Sequence, residues 1–207
     1  MSAAEELQLL AQEAAVCTAC VLSETRTQVV FGVGAFDADI LLVGEAPGKN
    51  EDLQGEPFVG AAGKLLDRLL SEIGIDRADV YIANVLKCRP PGNRDPRPGE
   101  IDSCKGYLRT QIELIDPKVV MTLGNFATKL LLRRDVGITR LRGQVYPWWR
   151  RQLVPTFHPA AALRGGDRVT NQMREDFALV SGLLNAPPEA PAVEAPAETV
   201  EQLGLFG

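Results

Sequence analysis

A chain of 207 residues, 45% of them hydrophobic and 24% charged, has room for one α/β domain with a sizeable core and a tail, and would be cramped as two domains. It contains no apolar run of membrane-spanning length, and its first residues, Met-Ser-Ala-Ala-Glu-Glu, lack the basic and apolar parts of a signal peptide. A soluble cytosolic protein is expected.

The net charge of −5 argues at first against a polyanionic partner, but the charge is unevenly spread. Residues 186–207 carry four acids and no base, whereas residues 133–174 carry nine arginines against two acids, Asp135 and Asp167. Clustered basic charge is the electrostatic footprint of a nucleic-acid or phosphate ligand, and equally of a solvated face.

In chain order, residues 4–16 show helical periodicity, with Cys17 and Cys20 just past the end. Ala38–Val43 is a continuous apolar run of the kind that forms a doubly buried strand in a parallel sheet. The next twenty residues, Gly44 to Gly63, hold five glycines, two prolines, four carboxylates (Glu45, Glu51, Asp52, Glu56) and the aromatic Phe58. They lead into a helical pattern over 62–73. A long strand-to-helix loop of this composition brings main chain close to a ligand at the carboxyl end of a strand. Val80–Leu86 reads as the second strand and delivers Asn84, then Lys87-Cys88-Arg89. Four prolines within residues 89–99 bar helix and strand there and leave an exposed loop bearing three arginines.

A helix over 99–115 carries Cys104. Lys118–Leu123 is a third strand ending at Gly124, a helix follows over 125–133, and Gln152–Thr156 is a fourth strand ending at Phe157-His158-Pro159. A last helix spans 168–184. Strands alternating with helices imply a parallel sheet flanked by helices, whose four strands end on one rim and bring Glu45, Asn84, Gly124 and His158 together. A carboxylate, an amide and the chain's one histidine, with no serine or thiol nucleophile beside them, suit the departure of an anionic leaving group. A uracil base leaving deoxyribose meets each requirement: Phe58 would stack on an extruded base, and Asn84 would donate to O4 while accepting from N3–H, a pattern cytosine cannot match.

Cys17, Cys20, Cys88 and Cys104 form a C-x2-C pair and two single cysteines, with 67 and 15 residues between. In a reducing cytosol they read as a four-thiolate site. Zinc and a [4Fe–4S] cluster both fit that count.

The motifs Gly44-Glu-Ala-Pro-Gly48, Glu51-Asp52, Gly55-Glu-Pro-Phe-Val-Gly60, Asn84 followed by Lys-Cys-Arg-Pro-Pro91, and Phe157-His-Pro159, taken with the four cysteines, closely resemble the iron–sulfur uracil-DNA glycosylases of family 4 over about residues 15–180. The resemblance implies a three-layer fold around a four-stranded parallel sheet, a structural [4Fe–4S] cluster, and monofunctional removal of uracil from DNA. By motif, Gly44, Glu45 and Ala46 line the uracil pocket, Phe58 stacks on the base, Asn84 reads its edge and His158 stabilises the leaving uracil. Glu45 is the candidate for positioning water, and Glu51 for excluding the thymine methyl. Arg94 and Arg164 are candidates for the DNA backbone. Two departures stand out. The superfamily usually places a leucine wedge four residues after the motif histidine, where this chain has Ala162, beside Leu163 and Arg164. No histidine lies between 84 and 124, where a DNA-trapping relative carries one, so turnover is expected.

The domain is expected to span residues 1–185. Residues 186–201 are rich in Pro, Ala and Glu and are expected to be a disordered linker. The chain then ends in an apolar cluster over 202–207. Gln202, Leu203, Leu205 and Phe206 resemble the short peptide by which bacterial repair proteins dock on the sliding clamp, and the linker would tether the enzyme near DNA. Otherwise a monomer is expected. Two other readings stay open: a non-catalytic nucleic-acid binding module of the same fold, and a zinc-stabilised nucleotide hydrolase.

Overall fold

The computed structural model describes residues 1–186. The linker beyond 186 and the candidate clamp peptide (Gln202, Leu203, Leu205, Phe206) lie outside the described residues. Helix α1 (Ala3–Ala15) opens with a capping box in which Ser2 and Glu5 satisfy each other's backbone donors. There follow β1 (Val33–Gly34), β2 (Ile40–Gly44), α2 (Lys49–Gln54), α3 (Ala61–Glu72), β3 (Tyr81–Asn84), α4 (Pro98–Ile115), β4 (Val119–Leu123), α5 (Asn125–Leu132), α6 (Ile138–Leu141), β5 (Tyr146–Trp148), β6 (Arg151–Thr156) and α7 (Pro159–Asn185).

The sheet is six-stranded and mixed, in the order β1-β3-β2-β4-β6-β5, where four parallel strands were expected. The four expected strands are its interior, β3-β2-β4-β6, each parallel to its neighbours. The additional strands are short antiparallel edges, β1 on β3 and β5 on β6. Each is only two or three residues long, with glycines breaking the apolar stretch around β1 and Pro147 breaking the one around β5. Gly34, at φ 136°, brings the β1 main chain so close that a Cβ there would lie 1.8 Å from the Val80 carbonyl oxygen. Pro147 sits in the middle of β5, a position only an edge strand tolerates.

β2, β3 and β4 are buried along their whole length, as strands covered on both faces must be. Ile40, Leu42, Ile82, Met121 and Val154 pack with Leu66 and Leu69 of α3 and Met173 and Phe177 of α7. Leu41, Val43, Tyr81, Val120 and Leu153 face the other way, towards Leu7 of α1, Leu108 and Ile112 of α4 and Ala127 of α5. The result is three layers with two apolar cores. Trp148 closes the second core, with its indole N–H donating to the Leu131 carbonyl at 3.0 Å.

Three other boundaries differ from the sequence pattern. The glycine-rich loop contains α2, too short for its periodicity to register. The proline-rich stretch holds a single 3-10 turn, Pro91–Asn93. Helix α7 begins at Pro159 and is broken at Gly166 (φ 67°, ψ −158°), so its first turns escaped a reading that needed an uninterrupted period. No helix among the described residues is long and apolar enough to cross a membrane.

Candidate active site and cysteine cage

Because β2, β3, β4 and β6 run in parallel, their carboxyl ends share one rim, and there they surround a cavity of about 440 Å³. Glu45 and Ala46 follow β2 directly, Asn84 ends β3, Leu123 ends β4 with Gly124 just past it, and His158 lies two residues beyond β6. The glycine-rich loop adds Glu51 and Phe58, the proline-rich loop Pro90, Asn93 and Arg94, and the start of α7 Arg164. Of the residues assigned by motif to the pocket, Glu45, Ala46, Phe58, Asn84 and His158 meet at this one place, together with Glu51, Arg94 and Arg164, while Gly44 is not part of the cavity lining. Asn93 was not anticipated, since nothing in its local pattern separates it from the rest of its loop.

Gly44 lies beneath the pocket, where a Cβ would come 2.3 Å from Asn84 Oδ1 and 2.8 Å from Phe58 Cζ. Only glycine lets the amide and the aromatic ring sit over the end of β2. Phe58 has φ 54°, a conformation that costs a non-glycine residue about 1–2 kcal/mol. Both neighbours hold it there: Arg77 Nη2 donates to the Pro57 carbonyl at 2.6 Å, and the Val59 N–H donates to Glu51 Oε1 at 3.2 Å. Gly63 opens the space beneath, since a Cβ there would lie 1.7 Å from the Phe58 carbonyl oxygen. Glu51 thus both lines the cavity and braces the stacking ring. Asp52 is buried and accepts from the Thr27 N–H at 2.9 Å, which makes it a loop anchor.

His158 is the N-cap of α7, and its Nδ1 accepts from the Ala160 N–H at 3.1 Å. A backbone N–H donates only to an unprotonated nitrogen, so the neutral ring carries its proton on Nε2. Burial and then the Arg164 charge pull the His158 pKa down to about 4, against a smaller opposing effect of Glu51. The ring is a neutral donor at physiological pH. Burial, and secondarily the nearby Asp95 charge, raise the Glu45 carboxyl above its ordinary value. Asn84 is 2% exposed.

The arginine-rich segment divides. Arg142 is turned inward, its guanidinium bound to the fully buried Asp176, which also accepts from Thr156 Oγ1 at 2.6 Å, two residues before His158. Arg151 pairs with Asp116 and Arg174 with Glu72. These three of the nine arginines hold the fold together. Arg94, in the proline-rich loop, lines the cavity but is gripped through both terminal nitrogens by the buried Glu100. Arg164 is exposed at the cavity mouth. Ala162 is 1% exposed, within the core, while the adjacent Leu163 is 53% exposed.

The four cysteines converge as well. Cys17 and Cys20 from the segment after α1, Cys88 from beyond β3 and Cys104 from α4 line one small cavity, with Lys87 and Tyr107 in its wall and neither carboxylate nor imidazole beside them. All four are free thiols. The Lys87 N–H donates to Cys104 Sγ at 3.3 Å and Arg26 Nη1 to Cys88 Sγ at 3.5 Å. Among the described residues, no three His, Cys, Asp or Glu side chains gather closely enough to hold a single ion. Four sulfurs from three separate segments around one cavity, two of them accepting N–H donors, match the thiolate donor set that holds an iron–sulfur cluster.

Fold and site together define an α/β protein with a pocket at its strand ends, lined by an aromatic ring, an amide, an imidazole and carboxylates. Residues 31–179 match the model of the Uracil DNA glycosylase superfamily, and the chain belongs to that superfamily. Within it the chain falls in the type-4 branch. It is 46% identical over 181 residues to the type-4 uracil-DNA glycosylase of Archaeoglobus fulgidus, covering 84% of this chain and 88% of that one. It is 44% identical to the protein of that name from Saccharolobus solfataricus (89% and 89% covered) and 47% identical to the one from Thermotoga maritima (77% and 84% covered).

Proposed function

We propose that the protein is a DNA repair enzyme that flips uracil out of DNA and hydrolyses its N-glycosidic bond, releasing free uracil and leaving an abasic site. The observation that carries this reading is the meeting of an aromatic face, a buried amide and a neutral imidazole with its proton on Nε2 around one cavity. Phe58 stacks on the extruded base, and Asn84 donates to O4 and accepts from N3–H. Cytosine, with an amine at C4 and no proton on N3, reverses both partners. Glu51 excludes the thymine methyl.

As the N1–C1′ bond breaks, its electron pair leaves with the base, and negative charge grows on the uracil oxygens. His158 donates its Nε2–H to that charge without transferring a net charge of its own, because the ring is neutral before the step. A positioned donor of this kind is worth about 10²–10³ in rate. Glu45 stabilises the cationic sugar and orients the water that adds to C1′. Arg164 contacts the DNA backbone at the mouth, with Arg94 held beside it by Glu100.

Cys17, Cys20, Cys88 and Cys104 would hold a [4Fe–4S] cluster, which when bound supplies a cross-link between the N-terminal segment, the end of β3 and α4. The peptide Gln202, Leu203, Leu205 and Phe206 docks on a sliding clamp. The working unit is a cytoplasmic monomer. Its partner in the reaction is uracil-containing DNA.

The test is release of free uracil from a uracil-containing oligonucleotide by anaerobically purified protein, followed by chromatography. Release that is lost in His158→Ala supports the reading. No release from iron-loaded protein refutes it. Deleting residues 202–207 should abolish clamp capture in a pull-down and leave excision from free oligonucleotides unchanged.

A further inference from the structure

Lys87 stands between Asn84 of the pocket and Cys88 of the cage and lines the cysteine cavity, yet no role has been given to its side chain. It is 1% exposed. Its Nζ donates to the Asn84 carbonyl oxygen at 2.9 Å and to Gln111 Oε1 at 2.6 Å. Gln111 is itself fully buried, and its Nε2 donates to the Phe31 carbonyl at 2.9 Å and to the Tyr81 hydroxyl at 3.2 Å, which fixes the amide with its oxygen towards Lys87. The Phe31 ring centroid is 5.7 Å from Nζ. Among the described residues no carboxylate pairs with Nζ. Burying an amine in this way is costly, and an apolar side chain of the same length would fill the space without that cost. The lysine therefore has a task beyond packing.

That task follows from where β3 ends. The edge strand β1 pairs with β3 only at Tyr81 and Ile82, so the Asn84 carbonyl lies beyond the ladder on that side, and Lys87 Nζ is its partner. The main chain of Lys87 is committed elsewhere: its carbonyl accepts from the Val30 N–H at 2.8 Å, and its N–H donates to Cys104 Sγ. One residue thus grips the base-reading residue with its side chain and the cage with its backbone.

We infer that Lys87 is a positioning residue that holds Asn84 in its aim at the base and couples that aim to the cysteine cage. The inference rests on the glycosylase reading of the pocket. It is tested in the full-length, anaerobically purified protein with Lys87→Met and Gln111→Leu, each of which breaks the chain from Gln111 to Asn84 without touching a cysteine. Both variants should bind free uracil about tenfold more weakly, as expected for losing a buried hydrogen bond, while binding a uracil-free duplex within twofold of the unsubstituted protein. Coupling is reciprocal, so saturating free uracil should slow the loss of the cluster's visible absorbance to a chelator in the unsubstituted protein and not in Lys87→Met. Unchanged uracil affinity in both variants overturns the inference, as does an equal loss of affinity for uracil and for uracil-free DNA. Absence of uracil protection in the unsubstituted protein removes the coupling to the cage. Should Lys87→Met not fold, Gln111→Leu decides on the uracil affinity alone. An unsubstituted protein that neither binds nor releases uracil instead refutes the glycosylase reading itself.

Discussion

The rings of Phe58 and His158 stack, with centroids 5.4 Å apart and planes inclined by 29°, although 100 positions separate them in the chain. One is held by a strained loop and the other by the first turn of a helix, and their contact sets the wall of the pocket. Offset ring pairs of this kind contribute about 0.5–1.5 kcal/mol beyond area burial. The site is therefore organised before any base enters it, and small displacements on either side should be felt in catalysis.

Gly44→Ala is the sharpest test of that organisation. The added methyl would press on both Asn84 Oδ1 and Phe58 Cζ, so the amide and the ring must move. A misplacement of about 1 Å costs about 100-fold in rate. Single-turnover excision should fall by at least that factor, while the far-ultraviolet circular dichroism spectrum is unchanged.

The depressed pKa of His158 predicts a particular pH dependence. With the folded value at about 4 and the unfolded value near 6.5, the unfolded chain binds more protons between those limits. His158 therefore contributes stability that is fully present above about pH 6.5 and is lost as pH falls through about 4. Acidifying from pH 7.5 to 4.5 should lower the Tm of the unsubstituted protein more than that of His158→Gln. The rate of excision should show no histidine limb between pH 5 and 8.

Arg142 and Arg164 belong to the same arginine-rich segment but should respond in opposite ways. Removing Arg142 leaves Asp176 buried without its main partner, which costs about 3–5 kcal/mol and should appear as a large drop in Tm. Removing Arg164 should leave Tm unchanged, weaken oligonucleotide binding uniformly across sequences, and reduce the slope of log affinity against log salt by about one.

The cage makes a fourth prediction. Cys104→Ser removes a buried sulfur that accepts the Lys87 N–H and should abolish the visible absorbance of the purified protein. Melting should shift to lower temperature in step with iron content, measured by elemental analysis across partially loaded preparations.

Read as sequence, the chain discloses the parts that depend on short-range pattern. The apolar runs at Ala38–Val43, Val80–Leu86 and Lys118–Leu123 mark buried strands because burial on both faces requires continuous hydrophobicity, and alternation with helices then places Glu45, Asn84, Gly124 and His158 on one rim. The same logic fails for β1 and β5, edge strands of two and three residues, one interrupted by glycine and the other by Pro147.

What tertiary structure alone decided is which polar groups are already engaged. Arg142 and Arg164 look alike in sequence. Only the folded chain sets one against Asp176 and leaves the other at the cavity mouth. The proton on His158 is directed to Nε2 by a backbone N–H, and Lys87 is turned to the Asn84 carbonyl because an edge strand stops two residues short. Hydrophobic periodicity is written along the chain, but hydrogen bonds and ion pairs form within about 3 Å between groups that the chain itself can hold far apart, so their pairing exists only once the fold has closed.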